Sequence, residues 1–384
     1  MIRVAIVGLG NISAAHIEAW KTFPDRAQIV AMVDIIPEKA RARAEEYGID
    51  CDIYDDHHQI LDRRDIDLVD ICTPPYVHAE ISINALRAGK HVICEKPMAA
   101  SLEECDAVLA AARESGRLFS SIAQNRFRTS IARLKAVLDS GICGPVKHFA
   151  VDSLWWRGHC YYDLWWRGTW EKEGGGCTLN HAVHHIDMLG WMMGLPDTVT
   201  SVLTNVSHDN AEIEDLSVSV LSYGNALATV TASVVHHGEE QQLVVQCADA
   251  RISAPWKIYA SGSLPNGFPY EDKEKETEIQ ALYETLPEVR YEGHTGQIDD
   301  VLRTLEEGRL VPAITGEDGR RTIELITAIY KAGATKTPVS LPLTKEDPFY
   351  TVEGIRASAP HFYEKSASVV DLGSDTAITL GSKY

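Results

Sequence analysis

Between Gly174 and Asp187 the chain places three consecutive glycines and then Asn180, His181, His184, His185 and Asp187. Imidazole, carboxamide and carboxylate groups at this density can orient a small polar ligand and move protons on it, while the glycines permit close backbone approach. At 100° per residue Asn180, His184 and Asp187 fall within an arc of roughly 60°. Ala182, Val183, Ile186, Leu189 and Met193 cluster on a separate apolar face. A helix from Leu179 to Met193 would therefore anchor one face and present the other. His181 and His185 are also four apart, a spacing that can bind zinc, with Cys177 or Asp187 as a third ligand. No Glu stands between them as a metalloprotease would need, so packing or hydrogen bonding is the expected role and no metal is expected.

A second candidate lies at the other end of the chain. Gly8-Leu9-Gly10-Asn11-Ile12-Ser13 follows a strand-like run and opens a helix-like one. Gly8 permits the tight turn, Gly10 lets a pyrophosphate approach the backbone, and the helix start at Asn11 and Ile12 supplies partial positive charge. Ser13 stands where a third glycine is usual. Asp34 ends the second strand-like run, where a carboxylate can accept hydrogen bonds from ribose hydroxyls and repel a 2′-phosphate. These residues point to a dinucleotide, and to NAD rather than NADP.

The elements that must hold these groups change character along the chain. Up to about residue 123, buried strand-like runs (Arg3–Val7, Ile29–Val33, Leu68–Cys72, His91–Cys94, Leu118–Ala123) alternate with amphipathic helical stretches. That order predicts a doubly wound parallel sheet of the Rossmann type over 1–123. Over 124–343, strand-like runs from Val146 to Ser253 follow one another mostly without helices, which predicts an α+β domain with a large, mostly antiparallel open-faced sheet. Helices are expected at Arg128–Asp139, Leu179–Met193, Gly296–Glu307 and Gly316–Ala332, a loop over Ser261–Glu278, and a polar tail over 344–384.

Composition bounds the partners. A net charge of -19 argues against nucleic acid and against an anionic membrane surface, since both require a basic footprint. Eight scattered cysteines without a CxxC pair read as free thiols of a reducing compartment. With no signal-like start and no apolar run of spanning length, a cytoplasmic location is expected. An open sheet needs a cover, so a homodimer or homotetramer is expected.

Two motifs extend the picture: Glu95-Lys96-Pro97 after the fourth strand-like run, and the glycine-histidine segment. With the nucleotide fingerprint, with Thr73-Pro74-Pro75 and His78, and with Gly316–Tyr330 followed by Val339-Ser340-Leu341-Pro342, the chain from residue 1 to about 343 resembles the glucose-fructose oxidoreductase / inositol dehydrogenase / rhizopine-catabolism (Gfo/Idh/MocA) family. The resemblance implies hydride transfer between a nicotinamide and a hydroxyl-bearing carbon of a sugar or cyclitol. It implies Lys96 and His184 as catalytic groups, either of which can be the base that such an oxidation requires. Thr73, Pro74, His78, Glu95 and Lys96 are then cofactor contacts. Asn180 stands where many members carry Asp, and because an amide cannot titrate it can only orient the substrate or Lys96.

Five of the eight tryptophans fall between Trp155 and Trp170, interleaved with Arg157, Tyr161 and Arg167. Aromatic faces pack on sugar C–H surfaces and guanidinium forks bind hydroxyls or anions, so Arg157, Tyr161, Arg167, Trp170 and His181 are substrate-contact candidates. Arg167-Gly168-Thr169-Trp170 is similar to a stretch in pyranoside-using members. Arg126, Arg157 and Arg167 are candidates for an anionic substituent. Two enzymatic outcomes follow: an NAD-dependent dehydrogenase acting at a ring carbon such as C3, or a redox glycosidase that oxidises, eliminates, hydrates and reduces with no net redox change. A non-catalytic NAD sensor would most naturally have lost Lys96 or His184, and both are present.

Overall fold

A computed structural model describes residues 1–370. The first half builds β1 (Ile2–Val7), α1 (Ser13–Lys21), β2 (Ala27–Val33), α2 (Pro37–Tyr47), β3 (Asp52–Tyr54), β4 (Leu68–Ile71), α3 (His78–Arg87), β5 (His91–Cys94), α4 (Leu102–Ser115) and β6 (Phe119–Ser121). Its six strands are parallel in the order β3-β2-β1-β4-β5-β6, the doubly wound arrangement. Continuous apolar runs form these strands because helices cover both faces, and every residue of β4 is buried.

The second half runs α5 (Thr129–Asp139), β7 (Val146–Leu154), α6 (Cys177–Asn180), α7 (Val183–Met193), β8 (Thr198–Thr204), β9 (Leu216–Tyr223), β10 (Ala226–Ser233), β11 (Gln241–Cys247), β12 (Ala250–Ala254) and β13 (Ile258–Ser263). It continues with β14 (Pro269–Glu271), α8 (Lys273–Thr285), α9 (Gly293–Glu306), α10 (Gly316–Thr335), β15 (Val339–Ser340) and α11 (Val352–Ser358). Nine strands form one sheet, antiparallel except where β10 lies parallel to β7. Burial alternates strictly along β8 and β9, so one face is packed under α7 and α10 and the other shows Val202, Val218, Val220, Leu227 and Tyr259.

Four expectations change. The Ser261–Glu278 stretch is not a loop but the end of β13, β14 and the start of α8, whose first turn Asp272 caps by accepting from Lys275 N. The helix expected from Leu179 to Met193 is broken at His181 and Ala182 into α6 and α7. Helix α9, expected with the second domain, returns to the first: Ile298, Val301 and Leu302 share a core with Ile17, Trp20 and Phe23, and Asp299 pairs with Arg26 at 2.6 Å. The tail is docked as far as it is described, with Asn210 Oδ1 accepting from Ser366 and Ala367 N–H and Asp163 O from Val369 N–H. Residues 371–384 lie outside the described residues.

Helix α10 joins the halves. Thr315 and Asp318 close a reciprocal cap at its start, Gly319 packs against Met98 and Ser121, and Gly333 against Leu203 of β8.

Candidate active site

The turn after β1 is shaped for a diphosphate. Gly8 has φ +92°, and a Cβ there would lie 2.7 Å from Thr73 N, so a side chain is excluded twice. At Gly10 a Cβ would meet nothing within 4 Å. No side chain caps the start of α1 at Ile12, and Asn11 is exposed beside it. Asp34 accepts from Leu9 N at 2.8 Å and Ile36 N at 2.9 Å, fixing a carboxylate at the end of β2. Open space at Gly10, an uncapped helix start and a strand-end carboxylate fit a dinucleotide.

Lys96 follows β5. Its Nζ donates to the backbone O of Asn180 at 3.4 Å, and it shares the wall of a cleft with Pro97, Ser121, Ala123, Val183 and His184. Burial pushes the Lys96 ammonium below its ordinary range; Glu95 and Glu173 oppose that shift and Arg167 adds to it. His184 is held well below the usual histidine range, by burial first and then by Lys96. Burial thus disfavours the charged form of both groups. The break between α6 and α7 turns the Asn180 carbonyl to Lys96, while its side-chain amide donates to Gly175 O at 2.8 Å. Asn180 thus orients Lys96 through its backbone, and its amide braces the glycine turn.

That turn is locked from below. Gly175 lies so close to Tyr330 that a Cβ would sit 2.2 Å from the hydroxyl, and one on Gly176 would sit 1.8 Å from Glu214 O. Glu214, fully buried and pushed up to about 7 by burial, accepts from Gly176 N, Thr178 N and Tyr330 Oη at 3.0–3.1 Å. The glycine run was legible in sequence; its buried lock was not, because nothing near residue 176 announces Glu214 or Tyr330.

The aromatic segment divides. Arg167 stacks between Tyr161 and Trp166, 4.0 and 4.1 Å from their ring centres, and pairs with Glu173 at 2.7 Å. Tyr161 Oη lies 3.3 Å from His181 Nε2. His181 is buried and held well below the histidine range by burial and by Arg157, Arg167 and Lys96; its Nδ1 has no partner among the described residues. Arg157 lies over Trp155 and Tyr161, paired with Glu239. Of these groups, Arg167 and His181 are near enough to Lys96 to interact with it electrostatically.

Other expected contacts are occupied elsewhere. Arg126 forks onto Asp187 at 2.7–2.8 Å and reaches Asp318 at 3.2 Å, so two carboxylates already neutralise the proposed anion holder. Asp187 still lines the cleft with Lys96 and His184, but its carboxylate is committed to Arg126. Trp170 is 2% exposed, edge-on to Tyr330, with Nε1 donating to Pro360 O: it is core, not a sugar platform. His78 spends both ring nitrogens on Thr73 O and Pro97 O, each at 2.7 Å, and so ties together the two loops that carry Thr73, Pro74 and Lys96. Glu95, expected at the cofactor, is instead buried among His16, His294 and the Lys96 N–H. Neither His16 nor His294 was singled out in the sequence, and only their helix positions hint at burial. Among the described residues, His181 and His185 belong to no group of three donors close enough to hold one ion; such groups form at His16 and at Asp56–His58.

Comparisons with known proteins identify the family. Residues 2–122 match the model of the oxidoreductase family with an NAD-binding Rossmann fold, and residues 131–253 match the GFO/IDH/MocA C-terminal domain. The chain is 25% identical over 346 residues to myo-inositol 2-dehydrogenase of Thermotoga maritima, covering 88% of this chain and 98% of that protein. It is 30% identical over 252 residues to 2,7-anhydro-N-acetylneuraminate hydratase of Mediterraneibacter gnavus, covering 64% of this chain and 65% of that relative, which is less than two thirds of its length. The WlbA dehydrogenase of Bordetella pertussis, solved with NADH and UDP-GlcNAcA, superimposes with a TM-score of 0.75 at 26% identity, covering 89% of this chain and 99% of that one. No described helix is long and apolar enough to cross a membrane. The chain belongs to the Gfo/Idh/MocA family of oxidoreductases, with an NAD-binding Rossmann half and sugar-type relatives.

Proposed function

We propose that the protein is an NAD-dependent dehydrogenase that oxidises a ring hydroxyl carbon of a sugar, glycoside or cyclitol. The observation that carries this reading is Lys96 Nζ, held by Asn180 O beside His184 at the end of a Rossmann strand and kept short of its ordinary basicity by burial. Bound NAD supplies the hydride acceptor. Lys96 as a neutral amine takes the hydroxyl proton, and His184, for which a charge beside Lys96 is costly, stays neutral and hydrogen-bonds the same oxygen. Tyr161, Arg157, Arg167 and His181 line the sugar side. With Arg126 neutralised, an anionic substituent would be met by Arg167 and Arg157, each already sharing one carboxylate.

The Tyr161–His181 pair favours a second reading. A hydroxyl and an unprotonated imidazole 3.3 Å apart can pass a proton, which elimination and hydration next to a transient ketone would require. The relative from Mediterraneibacter gnavus is a hydratase. The exposed apolar face of the nine-stranded sheet supports a homodimer or homotetramer built across it.

One panel tests these readings: myo-inositol, levoglucosan, UDP-N-acetylglucosaminuronic acid and 2,7-anhydro-N-acetylneuraminate, each with NAD or NADP. Stoichiometric NADH with one of them supports the dehydrogenase. A rearranged or cleaved sugar at catalytic NAD supports the second reading. A preference for NADP contradicts the role given to Asp34.

A further inference from the structure

Behind Lys96 runs a buried line of ionisable groups that the proposed chemistry leaves unused. His16 Nδ1 lies 2.9 Å from Asp70 Oδ2, His16 Nε2 lies 3.0 Å from Glu95 Oε1, and His294 Nε2 lies 3.2 Å from that same Glu95 oxygen. Trp20 Nε1 donates to Asp70 at 2.6 Å, and the Lys96 N–H donates to Glu95 Oε2 at 2.9 Å. His16 and Asp70 are fully buried and Glu95 nearly so. An imidazole that meets a carboxylate at each nitrogen can donate to both only as the cation.

Asp70, His16 and Glu95 together then leave one net negative charge fixed a single residue from the Lys96 side chain. The other groups facing Lys96 do not supply such a charge. Asn180 O comes from α6 and His184 from α7 is neutral, while Arg167 and Glu173 from the aromatic segment cancel as a pair at 2.7 Å. His294, pushed down by burial against the pull of Glu95, meets that carboxylate through Nε2.

The geometry points to a positioning role for this cluster: His16 and His294 hold the Glu95 carboxylate as a fixed countercharge behind Lys96, and through it α1 and α9 govern whether the Lys96 amine carries its proton. This role rests on Lys96 as the proton acceptor. Helix α9, packed on α1 through Ile298, Val301 and Leu302, carries His294 in its first turn and so delivers it to Glu95. Because α1 begins at the Gly8–Ile12 turn, His16 links the dinucleotide site to Lys96 along a single helix.

Trace acetic anhydride labelling of the NAD-bound protein, with Lys96 acetylation followed by peptide mass spectrometry across pH, reads the amine directly and needs no sugar. Glu95→Gln, nearly isosteric, lowers the Lys96 labelling midpoint by about one unit, which is roughly tenfold more acylation at a pH below it. His294→Gln retains an amide donor for Glu95 Oε1 and leaves the midpoint in place. An unmoved midpoint in folded Glu95→Gln, or an equal displacement in His294→Gln, overturns the assignment. Should Glu95→Gln not fold, ring nitrogen NMR of the unaltered protein decides: His16 as an imidazolium at neutral pH supports the cluster, and a neutral His16 overturns it. Unimpaired turnover in Lys96→Ala would instead remove the proton-acceptor reading while leaving the labelling result interpretable.

Discussion

Buried histidines near Lys96 are shifted in opposite directions. His16 is completely buried, which by itself lowers it, yet it is raised well above the ordinary histidine range by Asp70 and then Cys72, with Glu95 Oε1 placed 3.0 Å from its other ring nitrogen. His181 and His184 are lowered well below that range, because burial there is joined by Lys96 and, for His181, by Arg157 and Arg167. Burial by itself disfavours the imidazolium in both places. The sign is set by whether carboxylates or cations complete the shell, and one molecule uses the first device to hold charge and the second to exclude it.

The largest effect that would break this contrast is on turnover. Lys96→Ala lowers turnover of the best panel substrate by roughly two to four orders of magnitude with NAD binding retained, read as kcat beside a cofactor titration. His184→Ala falls at the lower end of that range. Activity left near normal would remove either residue from the chemistry.

Next is a difference in stability. His16→Leu strands two buried carboxylates and costs about 3–5 kcal/mol in urea denaturation. His181→Leu removes a neutral ring and costs clearly less. Equal losses would mean that the two groups do not differ in charge.

The pH dependence of stability has opposite signs in the two groups. For His181, His184 and His185, the last lowered to about 3, the unfolded chain binds protons more readily than the folded one. Their contribution is intact above about pH 6.5 and is lost progressively as pH falls below it. His16 is raised, so its contribution is present below about pH 6.5 and is lost only as pH rises through its raised folded value. Melting temperature followed from neutral to acidic pH should therefore fall, and His185→Gln should flatten that fall. A flat wild-type profile contradicts the neutral assignment.

The smallest effect sharpens the electrostatic cause. Arg157→Gln removes one of the cations acting on His181, and should raise its titration by about one unit or less in histidine NMR. No movement would leave burial as the sole cause.

Much of the machinery was readable from residues alone. Gly8, Gly10 and Asp34 stand at the ends of strands whose apolar runs already declare a buried parallel sheet, and the Glu95-Lys96-Pro97 motif falls at the end of β5. These are local signals: turn geometry, periodicity, and a carboxylate at a fixed distance from a glycine turn. What was not legible shares a cause as well. Arg126 was chosen by residue type, Trp170 by residue type and resemblance, and His78 and Glu95 by the resemblance, and the side chain of each is held by a partner that no local pattern announces: Asp187 and Asp318, Pro360, Pro97 with Thr73, and His16 with His294.

The chain's sequence by itself determined a nucleotide-binding parallel sheet and a second mostly antiparallel sheet, because strand periodicity and glycine turns are encoded within a few residues, while Lys96 and His184 were singled out by the motifs that carry the family resemblance. Only the tertiary structure decided which buried groups are charged. That depends on whether a carboxylate or a guanidinium from tens to hundreds of residues away closes each shell, and low-dielectric pairing of this kind leaves no mark on local sequence.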